Sequence, residues 1–316
     1  MLISLIVPCY NEEESLPILY KALCDVRDSQ TRDEYEFIFI NDGSKDKTSD
    51  VIRNIAAKDN CVKYIFFSRN FGKESAMYAG LEKSRGEYVA ILDADMQDPP
   101  SLIPEMVQKL DNDEADIVAA RRVTREGEPK IRSFFARAFY KLINKMCEVE
   151  IADGARDFRL MRRSVVDAII SVSERQRFSK GIFAWVGFRT IWLEHQNVER
   201  VAGETKWSFW KLFRYAIDGI VSFTTAPLRI ATLCGFASAF TAFVYMVYYF
   251  IRAIILRIYN DVPGYPSLLC IILFIGGLIL MALGVLGEYI GRTFVEVKNR
   301  PIYIKAEEDQ NLPKNL

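Results

Sequence analysis

Two acidic motifs stand directly after apolar, strand-like runs of this sequence. Asp93-Ala94-Asp95 follows the run Tyr88 to Leu92, and Asp42 follows the run Phe37 to Ile40. In an open α/β sheet, ligands bind at the carboxyl ends of the strands, and side chains two residues apart in an extended segment point the same way. Asp93 and Asp95 are therefore candidates to hold one hard cation, Mg²⁺ or Mn²⁺, against the phosphates of a nucleotide. A lone Asp-x-Asp also occurs in solvated turns, so the surrounding elements must decide.

The N-terminal half alternates strand and helix patterns, which predicts an α/β domain with a mostly parallel sheet. The first predicted helix opens at Glu12-Glu13, where acidic side chains in the first turn suit the helix dipole. The predicted strands are Leu2–Val7, Phe37–Ile40, Val62–Phe67 and Tyr88–Leu92, and the helices run to about Arg27, over Asp46–Ala57 and over Gly72–Ser84.

Five motifs occur together and in a characteristic order. They are Pro8-Cys9-Tyr10-Asn11-Glu12-Glu13, Asn41-Asp42-Gly43-Ser44, Ser68-Arg69-Asn70-Phe71-Gly72-Lys73, Asp93-Ala94-Asp95-Met96-Gln97-Asp98-Pro99-Pro100 and Asp157-Phe158-Arg159-Leu160. With them the chain resembles the family 2 glycosyltransferases of GT-A fold. Within that family it is similar to the polyprenyl-phosphate glycosyltransferases, which include dolichol-phosphate mannose synthase and the bactoprenol glucosyltransferases. The resemblance implies a Rossmann-like catalytic domain that uses a nucleotide-sugar donor, and it covers nearly the whole chain.

The composition fits an enzyme that works at a membrane. The chain has 316 residues, is 50% hydrophobic and carries a formal net charge of +0. Neutrality argues against nucleic acid as a partner. The six cysteines show no Cys-x-x-Cys spacing, so neither a zinc site nor a disulfide framework is indicated, and a reducing cytoplasm is expected. No cleaved signal peptide is expected at the N-terminus.

Two uncharged apolar stretches near the C-terminus predict a transmembrane hairpin. Ile230 to Ile251 and Val262 to Gly287 each exceed the roughly 20 residues that a spanning helix needs. Lysine and arginine are concentrated outside the short connection between them, which predicts that the catalytic domain and both termini are cytoplasmic, at the inner (plasma) membrane. The flanking cations are Lys206, Lys211, Arg214 and Arg229 before the hairpin and Arg292, Lys298, Arg300 and Lys305 after it, against Arg252 and Arg257 inside it.

The segment before the hairpin has an amphipathic pattern, with Trp207, Trp210 and Phe213 on one face. It predicts an interfacial helix, and a helix packed on the catalytic domain is the alternative. The tail from about Ala306 reads as disordered. The expected organisation is a catalytic domain at 1–205, a juxtamembrane segment at 206–228, the hairpin at 229–291 with spans at about 230–251 and 267–288, and a cytoplasmic tail at 292–316.

The resemblance also implies a donor site. Pro8, Tyr10, Glu12 and Asp42 would line the nucleoside pocket, although Pro8 could simply end a strand, Tyr10 could be packing and Glu12 could be only an acid at a helix start. Lys73 opens a helix and would face phosphate or sugar, with a surface lysine as the alternative. Ala94 and Gln97 belong to the acidic donor motif. Either Arg121 or Arg122 would contact the diphosphate, and Arg122 is preferred.

The acceptor side is expected to be cationic. A phosphomonoester has a second pKa of about 6, so a polyprenyl phosphate is already ionised near neutral pH and needs no strong general base. Cations would instead draw it toward the donor. The candidates are Arg175, Arg177, Lys180, Arg200 and Lys206, and Asp157 would orient the acceptor or the sugar hydroxyls as a catalytic residue beside Asp95. His195, the single histidine, is read as structural.

These residues predict inverting, metal-dependent transfer of a hexose to undecaprenyl phosphate. Resemblance of the stretch Lys180 to Phe188 to the bactoprenol glucosyltransferases favours UDP-glucose, with mannose, GlcNAc or galactose donors as alternatives. A processive polysaccharide synthase is disfavoured because Arg175-Gln176-Arg177-Phe178 stands where such enzymes carry Gln-x-x-Arg-Trp. A non-catalytic membrane partner is disfavoured because every acidic motif is present. One hairpin offers no evident route for the glycolipid, so a separate flippase is implied, and a homo-oligomer stays open.

Overall fold

A computed structural model describes residues 1–122, 155–172, 174–195, 221, 224–251 and 265–313. The chain divides into two compact units. The catalytic unit comprises Met1–Gly219 and Asn299–Leu316, and the hairpin unit comprises Ile220–Lys298. Arg200, Lys206 and most of the predicted interfacial helix lie outside the described residues.

The catalytic unit begins with four β/α repeats. Their elements are β1 (Leu2–Cys9), α1 (Leu16–Ser29), β2 (Glu34–Asn41), α2 (Thr48–Ala56), β3 (Val62–Phe67), α3 (Lys73–Lys83), β4 (Tyr88–Ile91), a 3₁₀ turn (Pro100–Leu102) and α4 (Ile103–Asp111). The later elements are β5 (Ile117–Arg122), β6 (Ala155–Arg162), α5 (Arg163–Ser171), α6 (Ser179–Trp185), β7 (Thr190–His195) and β8 (Lys305–Glu308). The strand predicted at Val62–Phe67 is confirmed residue for residue.

The described strands form one mixed sheet in the order β7-β5-β6-β4-β1-β2-β3-β8. The pairs β1–β2, β1–β4, β2–β3 and β5–β7 are parallel, whereas β6 runs antiparallel to β4 and β5, and β8 runs antiparallel to β3. The central strands are buried on both faces, as in β2, where Phe37 to Ile40 are fully inaccessible. The mostly parallel α/β sheet predicted from the alternating elements is therefore confirmed.

Helix α1 begins later than predicted, at Leu16 rather than at the acidic Glu12-Glu13 pair. The pair lies in a loop because its backbone N–H groups donate to side chains at the start of α2, from Glu12 to Thr48 Oγ1 (2.9 Å) and from Glu13 to Asp46 Oδ2 (3.3 Å). Those tertiary bonds replace helical ones, so the prediction of acids in the first turn of α1 was wrong.

The hairpin unit contains α7 (Ala226–Phe250) and α8 (Tyr265–Val297). Each holds a stretch long and apolar enough to cross a membrane, at Ala226–Tyr245 and Ile271–Val297, with mean hydropathies of 1.4 and 2.4. None of the residues in these stretches is buried. The alternative of two core helices of a soluble domain is therefore excluded for the described residues.

The described tail residues 306–313 have a defined structure, so the expectation of disorder from about Ala306 was wrong for them. Its strand β8 adds to the exposed edge of β3. Glu307 forms an ion pair with Arg53 at 2.7 Å, and Lys83 donates to the carbonyl of Pro313 at 2.6 Å. These bonds fix a polar segment that has no apolar periodicity of its own.

Candidate active site at the carboxyl edge of the sheet

Four strands bring the predicted chemical groups to one edge of the sheet. β1 ends beside Tyr10, β2 runs into Asp42, and β4 is followed directly by the acidic loop at 93–98. β6 is antiparallel, so its start lies at the same edge, and the pairing of Ile91 with Arg159 places Asp157 next to the end of β4. The long-range pairing of β4 with β6 thus assembles the site.

Lys73 connects two of these acids. Its Nζ lies 2.5 Å from Asp93 Oδ1 and 2.5 Å from Asp157 Oδ2. Burial alone would lower the pKa of Lys73, but the two carboxylates hold that pKa above its usual range. Gly72, with φ +99°, turns the chain so that α3 starts at this lysine. The Lys73 side chain is 42% exposed and faces the acidic cluster, and its contact with a phosphate or a sugar stays a prediction.

Asp157 is held ionised with one oxygen uncommitted. Burial would raise its pKa, but the Lys73 ammonium and then the Lys180 ammonium hold that pKa well below the usual range. Asp157 Oδ1 is buried and has no hydrogen-bond partner among the described residues. A buried acceptor without a donor is unfavourable, so this atom is available for a substrate hydroxyl.

The acidic loop presents its carboxylates through a strained turn. Asp95 is 8% exposed and its Oδ1 accepts the backbone N–H of Gln97 at 3.1 Å, while Met96 has φ +59°, which is uncommon for such a residue. Burial raises the pKa of Asp93, against the opposing effect of Lys73. Carboxylate oxygens such as those of Asp93 and Asp95 are the hard ligands that Mg²⁺ or Mn²⁺ prefers, and their assignment as metal ligands stays a prediction. Ala94 is buried between them at 4% exposure.

The far end of the same loop is anchored by residues that sequence reasoning missed or left as packing. Arg156 donates to Asp98 Oδ1 (3.2 Å) and to Gln97 Oε1 (3.0 Å). His195 Nε2 lies 3.0 Å from Asp98 Oδ1, and its side chain is 6% exposed. That position agrees with the structural reading of His195. No spacing signal singles out Arg156, which merely precedes the Asp157 motif.

Asp42 organises the adjoining loop. Its carboxylate is 3% exposed and accepts the backbone N–H groups of Phe71 (2.6 Å) and Gly72 (2.9 Å). Burial raises the pKa of Asp42, and these two hydrogen bonds oppose the rise. Gly43 follows with φ +65°, and a Cβ there would lie 2.4 Å from the carbonyl carbon of Arg69. The loop can approach this closely only because residue 43 is glycine.

The remaining donor candidates lie on or just after β1 and at the end of β5, and the described contacts do not bring them into one cluster. Pro8 pairs with Ile40 inside β1, and Tyr10 is 37% exposed. Glu12 accepts a hydrogen bond from Ser15 Oγ at 2.5 Å. Arg122 ends β5 opposite His195, and its side chain lies outside the described set.

The cationic candidates divide into two groups. Lys180 stands near Asp157 and lowers its pKa. Arg177 is 9% exposed and donates to the carbonyls of Val172 and Ile169 at the end of α5, and its guanidinium lies 4.7 Å from the ring centroid of Tyr78. Arg175 donates to the carbonyl of Arg300 at 2.9 Å and to Asn299 Oδ1. Lys180 thus joins the acidic cluster, whereas Arg175 and Arg177 contact other parts of the catalytic unit.

Glu74 is a further residue that the sequence did not single out. It accepts hydrogen bonds from the backbone N–H of Ser179 (3.0 Å) and from Ser179 Oγ. Burial, followed by the charge of Asp157, raises the pKa of Glu74 to about 7. Lys73 and Glu74 together tie the start of α3 to the acids and to the start of α6, which carries Lys180.

Comparisons with known proteins agree with this geometry. The model of "Glycosyl transferase family 2" matches residues 4–170, which is more than half of the chain. The chain belongs to glycosyl transferase family 2. A second model, "GtrB C-terminal hairpin", matches residues 226–293. The predicted family, the GT-A-like α/β fold, the transferase activity and the C-terminal hairpin of two apolar helices are thereby confirmed.

Relatives match this glycosyltransferase over nearly its full length. The prophage bactoprenol glucosyl transferase homolog of Escherichia coli (strain K12) is 46% identical over 96% of this chain and 98% of its own length. The bactoprenol glucosyl transferase of Shigella phage SfII is 44% identical over 99% and 100%. The putative glycosyltransferase CsbB of Bacillus subtilis (strain 168) is 42% identical over 99% and 93%. A solved structure, mannosyl-3-phosphoglycerate synthase from Rubrobacter xylanophilus, is 17% identical with a TM-score of 0.46, over 69% of this chain and 71% of that one.

Proposed function

We propose that this glycosyltransferase moves glucose from UDP-glucose to undecaprenyl phosphate, with inversion at the anomeric carbon. Relatives named bactoprenol glucosyl transferase support the sugar and the lipid class. The observation that carries the proposal is the position of Lys73 between Asp93 and Asp157 at the carboxyl edge of the sheet. In that arrangement one ammonium group contacts both Asp93, a candidate metal ligand, and Asp157, an ionised carboxylate with one oxygen free of protein donors among the described residues.

On the donor side, Asp93 and Asp95 would hold Mg²⁺ or Mn²⁺, and the bound ion would supply positive charge for the leaving diphosphate. Lys73 supplies a second positive charge beside the same phosphates. Asp42 and its loop shape the nucleoside pocket, because its two backbone hydrogen bonds fix residues 71 and 72. Pro8, Tyr10, Glu12, Gln97 and Arg122 remain donor-site proposals.

On the acceptor side, the phosphate dianion attacks the anomeric carbon and needs no general base to remove a proton. Asp157 Oδ1 accepts a hydrogen bond from a sugar hydroxyl and so orients the ring for attack from the opposite face. Lys180 attracts the acceptor phosphate at the edge of the same cluster. Arg200 and Lys206 remain proposals as further phosphate ligands.

The proposed setting is the inner membrane, with the catalytic unit and both termini in the cytoplasm, where nucleotide sugars are made. The lysine and arginine excess outside the hairpin supports this orientation. The product carries its sugar on the cytoplasmic side, so a separate flippase must act on it before use outside.

The test is a transfer reaction with purified protein in detergent and undecaprenyl phosphate. Each reaction receives one donor, which is UDP-glucose, UDP-GlcNAc, UDP-galactose or GDP-mannose. The mass of the lipid product is then measured by mass spectrometry. We expect a hexose adduct from UDP-glucose, lost in Asp157→Asn and retained in Asp50→Asn, which removes a charge that is 69% exposed. Equal or better transfer from another donor would overturn the choice of glucose, and no lipid adduct from any donor would overturn the proposed function.

A further inference from the structure

The segment that returns from the hairpin to the catalytic unit contacts two loops at the active edge. This return segment comprises residues 299–304 and precedes β8. Because its residues mainly contact the sheet domain, the return segment is part of the catalytic unit, which includes Asn299–Leu316. Its two ends meet the loop before α6 and the loop after β3, which carry acceptor-side and donor-side residues respectively.

The acceptor-side contact is made by Arg175. Its guanidinium donates to the carbonyl of Arg300 at 2.9 Å and to Asn299 Oδ1. Asn299 has φ +48°, a left-handed conformation that asparagine tolerates better than most residues. Arg175 lies five residues before Lys180 in the chain, so the return segment is bonded to the loop that leads to the acceptor cation.

The donor-side contact is made by Tyr303. Its ring stacks on Phe67 with centroids 4.8 Å apart and an interplanar angle of 21°, and its hydroxyl donates to Glu82 at 2.6 Å. The next residue, Ile304, accepts the backbone N–H of Ser68 at 2.9 Å. The loop at 68–70 is exposed and gains its position from such contacts.

Phe67 carries this contact toward the donor pocket. Its ring meets Phe71 edge to face, with centroids 5.7 Å apart and an angle of 88°. Phe71 donates its backbone N–H to Asp42 at 2.6 Å. A continuous set of contacts therefore runs from Tyr303 to the carboxylate that shapes the nucleoside pocket.

We propose that Arg175 and Tyr303 are positioning residues which, through the return segment, hold the acceptor-side and donor-side loops in a fixed relation. Arg175 acts on the reaction through this segment rather than as a ligand of the acceptor phosphate, because its Nε donates to the carbonyl of Arg300 and its Nη2 donates to Asn299 Oδ1. The identity of the substrates in this proposal rests on the proposed function, but the loop coupling does not.

A double-mutant cycle tests the Arg175 arm in the full-length protein, with kcat and KM measured for UDP-glucose and undecaprenyl phosphate. Arg175→Ala removes both hydrogen bonds, and Asn299→Gly removes one while keeping the left-handed backbone. We expect kcat/KM for the acceptor to fall about tenfold in Arg175→Ala and about threefold in Asn299→Gly. The double variant should be no worse than Arg175→Ala, because Asn299→Gly breaks a hydrogen bond that Arg175→Ala has already removed. Wild-type kinetics in Asn299→Gly together with a full effect of Arg175→Ala would mean that the Asn299 bond does not position the loop, and would overturn the proposal.

The Tyr303 arm separates positioning from stability. Tyr303→Ala should raise KM for UDP-glucose about tenfold, and Tyr303→Phe, which keeps the ring on Phe67, should restore KM to within about threefold of wild type. Arg53→Ala is the matched control, since it removes contacts with Glu307 on β8 and with the ring of Phe66 but, among the described residues, none with Tyr303 or with either loop. It should leave both KM values unchanged.

Two outcomes of the Tyr303 arm would overturn the proposal. One is a lower melting temperature of Tyr303→Ala with unchanged KM, and the other is an equal rise of KM in Arg53→Ala. UDP binding to the same variants, measured by calorimetry, reports the donor arm without any transfer. If the wild-type protein binds UDP but transfers no glucose, only the proposed function is refuted. The UDP affinities of the Tyr303 variants would then still decide whether the return segment positions the donor-side loop.

Discussion

The close approach of two loops at Gly43 gives a quantitative test of how the donor pocket is built. In Gly43→Ala the new methyl carbon would lie 2.4 Å from the carbonyl carbon of Arg69 and 2.6 Å from the backbone nitrogen of Asn70. Ordinary contacts of this kind begin at 3.4 Å, so the loop must retreat. Because Asp42 binds the N–H groups of Phe71 and Gly72, the retreat must weaken those hydrogen bonds.

The magnitude follows from two contributions. An L-residue at a left-handed position costs about 1–2 kcal/mol. Loss of one of the two hydrogen bonds to a charged acceptor costs about 1.5–3 kcal/mol. Gly43→Ala should therefore lower the free energy of unfolding by about 3–5 kcal/mol, if its catalytic unit unfolds cooperatively. Gly187→Ala is the matched control, since Gly187 has φ +73° but its nearest contact, the carbonyl oxygen of Trp185, is at 3.9 Å. It should lose only the backbone contribution, about 1–2 kcal/mol.

The assay is thermal unfolding in detergent together with calorimetric UDP binding. For a catalytic unit of this size, the difference between the two variants corresponds to a melting temperature lower by about 5–10 °C in Gly43→Ala. UDP affinity should fall at least about tenfold in Gly43→Ala and stay near wild type in Gly187→Ala. Equal melting temperatures and equal UDP affinities of the two variants would refute the role given to this loop.

Three further predictions concern the metal, pH and topology. Asp95→Asn should keep the melting temperature but lose transfer and Mn²⁺ binding by calorimetry, and chelation should abolish wild-type transfer reversibly; full turnover without metal contradicts this. Burial raises the pKa of Glu74 from 4.5 to about 7, so its contribution to stability is complete below about pH 4.5 and is lost as the pH rises toward 7. Glu74→Gln should therefore reduce the fall in the free energy of unfolding between pH 5 and 8 by about 2–3 kcal/mol, measured by denaturant unfolding, and an unchanged pH profile counts against the shift. In a cysteine-free background, a thiol at position 261 should be labelled from outside the cell and one after Lys305 should not, and the reverse pattern overturns the cytoplasmic orientation.

Local patterns in the sequence were sufficient to predict the elements whose burial or membrane insertion requires a continuous apolar composition. The uninterrupted apolar runs of β2 and β4 and the uncharged hairpin stretches were identified because burial or a membrane demands such composition. The carboxyl edge followed from the same runs, since Asp42, Asp93 and Asp95 come directly after strands. Lys73 was identified only through its motif.

Long-range bonds account for what the sequence could not show. The antiparallel pairing of β6 with β4 decides where Asp157 lies, and nothing near Asp157 in the chain indicates that direction. The same holds for β8, which pairs with β3 and bonds through Glu307 to Arg53 of α2. It holds also for Arg175, whose contacts with Asn299 and Arg300 no local pattern indicates. Charged side chains have several possible partners in a folded protein, and the sequence does not say which of them is in reach.

The most direct test of the central claim compares two acceptors that differ only in their phosphate. Purified protein is given UDP-glucose with undecaprenyl phosphate or with undecaprenol, and UDP release and lipid-linked glucose are measured together. The account predicts equal amounts of UDP and β-linked glucosyl lipid with the phosphate, and neither with the alcohol, because none of the site residues that the structure describes is placed as a strong base. Comparable transfer to the alcohol, or UDP release without a lipid product, would contradict it.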